Sequence, residues 1–168
     1  MATDATTVIE READATKSNR PQPPTPSPQH QRLGVFVGKW TTQGRTRTTP
    51  SAPAADIVGT DTYEWLEGGF FLVHRVDVRL GAEQVKGLEI ITYDASSDTY
   101  RTHAFDSQGN YSAYQATVHD GAWTFMGKSE RATVVPSDAG DAMTIKWERS
   151  TDGLSWLPWM DMTLTKAR

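Results

Sequence analysis

The chain of 168 residues contains no cysteine, so thiol nucleophiles, thiolate metal sites and disulfides are excluded, and its reactive chemistry falls to histidine and carboxylate. Of its four histidines, two sit inside runs of β-branched and aromatic residues: His74 in "FFLVHRVDV" and His103 in "TYRTHAFD". A ring turned inward from either run would be shielded, and could serve as general acid, general base or ligand-orienting group. His30 lies in a proline-rich stretch and His119 beside Asp120 in a turn sequence; both are expected in water. The carboxylates on nearby runs are Glu64, Asp77, Glu89 and Asp106. Glu89, in "GLEIITYD", shares its face with Gly87, Ile91 and Tyr93. An outward side chain is expected there, because an inward one needs a partner such as Arg101 or a buried water.

Several other chemistries are poorly served. No two histidines stand at metal-ligand spacing, although His74 and His103 could meet across a barrel with a carboxylate; neither metal nor cofactor is expected. There is no glycine-rich phosphate loop, no G-x-S-x-G elbow and no H-E-x-x-H, and "LEGGFF" is a glycine pair in a turn. The net charge of -4, with no block of Lys or Arg, argues against nucleic acid as a partner. No segment approaches the roughly 18 apolar residues of a membrane helix. "MATDATTVIEREADATKSNR" lacks the apolar centre of a secretory signal, and its acidic residues disfavour a transit peptide. The expected location is cytoplasmic.

The elements that must position these groups read as strands. Residues 1–30, with five prolines in "RPQPPTPSPQH", are expected to be a disordered, solvated arm; docking to a partner with a polyproline groove is the alternative. From residue 31 to residue 168 turn sequences such as "DASSD", "DSQGN", "HDGA" and "STDG" punctuate runs rich in β-branched and aromatic residues. The runs number nine or ten. Short hairpins make sequence neighbours antiparallel neighbours in space, and a meander of that length favours closure. The expected fold class is all-β, an antiparallel up-and-down β-barrel of about ten strands.

Alternation assigns faces. Met143, Ile145 and Trp147 share one side, as do Met160, Met162 and Leu164, and Phe70, Leu72, His74, Val76 and Val78 form a third inward set. "TYRTHAFD" is ambiguous, with Arg101, His103 and Phe105 opposing Tyr100, Thr102 and Ala104. About ten strands leave a wider interior than a filled eight-stranded barrel. The candidate ligand-binding residues are therefore Phe70, Leu72, His74, Arg101, His103, Tyr114, Trp147, Met160 and Met162, with His74 and His103 as catalytic candidates.

Gly38-Lys39-Trp40, following the apolar "LGVFV", resembles the Gly-x-Trp mark of the calycin superfamily of lipocalins and fatty-acid-binding proteins. In that superfamily a basic residue near the end of the last strand packs over the Trp, a role open here to Lys166 or Arg168. "YEWLEGGFFLVHRVDV", "GLEIITYDASSDTYRTHAFDSQGN" and "WERSTDGLSWLPWMDMTLTKAR" are similar to a bacterial calycin-like family of domains of unknown function. The resemblance spans residues 33–168; it implies a lipocalin-like barrel and no particular activity. Nitrobindin relatives hold haem through a histidine near the C-terminal strands, and here no histidine follows His119.

Three functions stay open. The first is binding of a small, largely apolar or amphipathic ligand in the barrel. The second is an isomerase, cyclase or dehydratase using barrel histidines as general acid-base. The third is a filled structural or interaction barrel whose arm does the binding. Fold alone does not separate them.

Overall fold

A computed structural model describes residues 23–168. Its ten strands are β1 (Gly38–Thr46), β2 (Asp56–Trp65), β3 (Phe71–Leu80), β4 (Glu83–Asp94), β5 (Thr99–Asp106), β6 (Tyr111–His119), β7 (Ala122–Met126), β8 (Glu130–Pro136), β9 (Ala142–Arg149) and β10 (Leu157–Lys166). Each pairs antiparallel with its sequence neighbours, and β1 pairs with β10, so the sheet closes into an up-and-down barrel. Closure leaves no raw edge. The alternation works as expected: Met143 and Ile145 on β9 and Leu164 on β10 are buried, while Thr144 between the first two and Thr163 and Thr165 flanking Leu164 are exposed. Among the described residues no helix is long and apolar enough to cross a membrane.

One end of the barrel is sealed by the segment before β1. Ser27 caps a short helix α1 (Pro28–Arg32), accepting from the His30 backbone N–H, with Pro28 at the first helical position. A 3-10 turn, Leu33–Phe36, follows and buries Leu33 and Phe36. The Trp40 indole N–H donates to the Phe36 carbonyl at 2.8 Å, tying that turn to β1. Trp40 is fully buried, and Lys166 Nζ lies 5.2 Å above its ring, so Lys166 fills the expected role over the tryptophan. Gly38 has φ 136°, and a Cβ there would stand 2.9 Å from Lys166 Cε. The positive φ calls for glycine at that corner, whereas the end of the Lys166 side chain could move aside.

The arm expectation meets the structure only at residues 23–30; residues 1–22 lie outside the described residues. His30 corrects the expectation of a solvated ring. Its imidazole packs edge-on against Phe70 and Tyr93, with centroids 5.4 and 5.6 Å apart. The Gln29 carbonyl accepts from the Tyr100 hydroxyl at 2.9 Å. Apolar rings at this end of the barrel offer the segment a surface that its own sequence does not announce.

Candidate functional site

Above the Trp40 floor the barrel encloses a cavity of about 310 Å³. Most of its wall is apolar, including Phe125, Val134, Ile145, Trp147, Met160 and Met162. Trp159 joins them through a break in register between Pro158 and Met160. Such a bulge sets two successive side chains on one side of the sheet, and strict alternation could not have found it.

The polar part of the wall is a belt across the first four strands. Thr42 on β1 donates to Asp61 Oδ2 on β2. Asp61 Oδ1 lies 2.7 Å from His74 Nε2 on β3, and His74 Nδ1 lies 2.9 Å from Glu89 Oε2 on β4. The register explains the assembly: Tyr63 pairs with His74, and His74 pairs with Glu89, so the three stand directly opposite one another on the inner face. Asp61 is two residues before Tyr63 and reaches His74 diagonally. The Tyr63 ring stacks on the imidazole at 3.8 Å.

Both histidine nitrogens therefore face carboxylate oxygens, and the residue as a whole is only 9% exposed. Burial by itself lowers the pKa of such a ring. Here the hydrogen bonds and negative charges of Asp61 and Glu89 outweigh it and raise His74 to about 9. With the ring protonated, each N–H donates to one carboxylate. Burial and the same two carboxylates push the Tyr63 hydroxyl well above its ordinary value, so it stays protonated. Glu89 spends one oxygen on His74; its Oε1 has no partner among the described residues, and the side chain lines the cavity.

At the far end, Tyr114 donates to Glu130 at 2.9 Å, and Arg149 grips the other Glu130 oxygen at 2.8 Å. Arg149 also lies over the Trp159 ring, 3.1 Å from its centroid. Burial, with the Glu130 charge, raises the Tyr114 pKa.

Of the nine candidate ligand residues, His74, Tyr114, Trp147, Met160 and Met162 line the cavity. Four do not. Leu72 points inward but is wholly buried in the core away from the cavity. Phe70 precedes β3 and packs under His30. Arg101 faces outward and pairs with Asp94. His103 is also outward, bonded to the Tyr111 hydroxyl. The ambiguity of "TYRTHAFD" resolves because Tyr100 and Thr102 are the buried set, leaving Arg101 and His103 no path to the interior.

Glu89 is a second correction: it faces in, and its partner is His74 rather than Arg101. Asp61 was not among the carboxylates singled out. A signal for it existed, since Ile57 and Tyr63 share its face of β2 and both are buried. Among the described residues no group of three or more His, Asp or Glu side chains could hold a metal ion; His74 lies between the two carboxylates and ties up one oxygen of each.

A family model described as "Protein of unknown function (DUF1579)" matches residues 25–146. No curated protein matches the chain in sequence. The crystal structure of Rv2717c from M. tuberculosis is similar in fold, with TM-score 0.61 at 11% identity, over 84% of this chain and 99% of that one. The S-type phycobiliprotein lyase CPES from Guillardia theta gives TM-score 0.53 at 9% identity, over 83% and 93%. At such identities the likeness is one of fold.

Proposed function

The chain belongs to the DUF1579 family of proteins of unknown function, and from that premise we propose that its barrel binds a small, largely apolar ligand in the cytoplasm. The ligand's body lies against Trp147, Met160 and Met162, and its polar end meets the belt from Thr42 to Glu89. One observation carries this reading: a buried hydrogen-bonded polar cluster opens into an otherwise apolar cavity of about 310 Å³. That is the ordinary composition of a ligand site, at the small end of the range of about 300–1,000 Å³. A filled structural barrel is disfavoured by the same void.

Acid-base catalysis is the second reading, favoured by a histidine set between two carboxylates inside the cavity. Both ring nitrogens are already engaged, so His74 would have to break a hydrogen bond to exchange a proton with a ligand. Glu89 Oε1 is better placed as a base.

Native mass spectrometry of protein purified from its own host, followed by extraction, tests the binding. A reproducible small-molecule adduct is expected. Ala132→Phe, which fills the cavity beside Trp147, should abolish it while the barrel still unfolds cooperatively. A clean unliganded mass, with no thermal shift across lipid, aromatic and tetrapyrrole compounds, would overturn the reading.

A further inference from the structure

The charges inside the cavity restrict what can enter it. Its titratable wall groups are Asp61 and Tyr63 on β2, His74 on β3, Glu89 on β4 and Tyr114 on β6; no Lys or Arg lines it among the described residues. Two carboxylates thus face a single imidazole, and both imidazole nitrogens are used. Two guanidinium groups, those of Arg47 and Arg149, line the wider space that adjoins the cavity, and both are already paired. Arg149 is held by Glu130, and Arg47 pairs with Asp161 at the rim. Tyr114, the remaining polar group on the opposite wall, is committed to Glu130 as well.

We propose that the ligand is an amphipathic amine, with its ammonium group seated on Glu89 Oε1 and its apolar body directed toward Trp147 and Met162. The inference rests on the reading of the cavity as a ligand site, and it names the chemistry of that ligand. Even with His74 protonated, the trio holds one carboxylate more than it holds cations. An unbalanced buried charge is costly, and a ligand cation removes the imbalance. An ammonium has three donors. Glu89 Oε1 accepts one, and the Tyr63 hydroxyl, without a hydrogen-bond partner among the described residues and on the cavity wall, can accept a second. The Tyr114 ring also lines the cavity, and aromatic rings attract a cation. A fatty acid or other carboxylate would bring a third negative group against Asp61 and Glu89, with no Lys or Arg on the cavity wall among the described residues to receive it.

Three probes with one indole body separate the possibilities by calorimetric titration at pH 7: tryptamine, 3-ethylindole and indole-3-propionate. Tryptamine is expected to bind at least tenfold more tightly than either of the others. Glu89→Gln should remove that preference and leave 3-ethylindole within about threefold of wild type, while the exposed Asp77→Asn changes nothing. Equal or tighter binding of 3-ethylindole or indole-3-propionate by the wild type overturns the amine and leaves ligand binding standing. Failure of all three to bind also overturns the amine, and the broader compound series then decides separately whether the cavity binds anything. The wild-type ranking stands as a test even if Glu89→Gln does not fold.

Discussion

The Tyr63 ring lies flat on the His74 imidazole, with centroids 3.8 Å apart and planes within 7°. The two residues are direct cross-strand partners on β2 and β3, so the stack is a product of sheet register. It covers one face of a ring whose edge is held by Asp61 and Glu89. The imidazole cannot turn without losing the stack and both hydrogen bonds together.

That arrangement makes stability depend on pH. The folded pKa of His74 is raised from 6.5 to about 9, so its contribution is fully present below about pH 6.5. It is lost as pH rises through 9. A shift of this size corresponds to about 3 kcal/mol. Urea denaturation of wild type and His74→Gln at several points between pH 6 and 9.5 should show the difference between them shrinking toward alkaline pH. A difference that stays constant would mean that the ring is not protonated in the folded state.

Breaking the belt should cost more than erasing it. Asp61→Ala strands the His74 N–H and the Thr42 hydroxyl, and should cost about 3–5 kcal/mol. The triple change Asp61→Leu, His74→Phe and Glu89→Leu replaces the cluster with apolar volume and should return stability to wild type or above. Thermal unfolding of the two variants checks the contrast. A triple variant as unstable as Asp61→Ala would make the cluster a structural necessity and weaken its assignment to a ligand.

The Trp40 floor predicts a graded series. Trp40→Ala empties a fully buried site and should cost about 3–5 kcal/mol. Lys166→Met removes only the cation above the ring and should cost about 0.5–1 kcal/mol. Gly38→Ala forces a side chain into φ 136° and against Lys166, with an expected loss of about 1–3 kcal/mol. The order of the three denaturation midpoints is the test, with Lys166→Met nearest wild type.

Gly59 on β2 faces a different constraint. A Cβ there would collide with the Asp77 carbonyl oxygen and the Val78 backbone of β3, neither of which is the end of a flexible side chain. Gly59→Ala should therefore destabilise by about 1–3 kcal/mol, and hydrogen exchange should report the loss first at the β2–β3 ladder. Unchanged protection there would show that the strands can separate without cost.

The sequence alone determined what depends on local chemistry. Turn residues and two-residue alternation mark out the strands, from Trp40 through the Met160, Met162 and Leu164 face, and Gly38-Lys39-Trp40 marks the sealed end. These are legible because alternation and turn dihedrals are properties of a few adjacent residues. Tertiary structure decided which face of a mixed strand turns inward. "TYRTHAFD" offers two polar-and-aromatic faces of similar character, and the buried position of Tyr100 and Thr102 puts His103 outside. Glu89 looked like a surface residue because its partner is 15 residues away along the chain. Asp61 is 13 residues from His74 and 19 from Thr42. Only pairing β1 through β4 in register brings those four side chains together, and only once they are hydrogen-bonded can two carboxylates sit on the inner wall of a barrel.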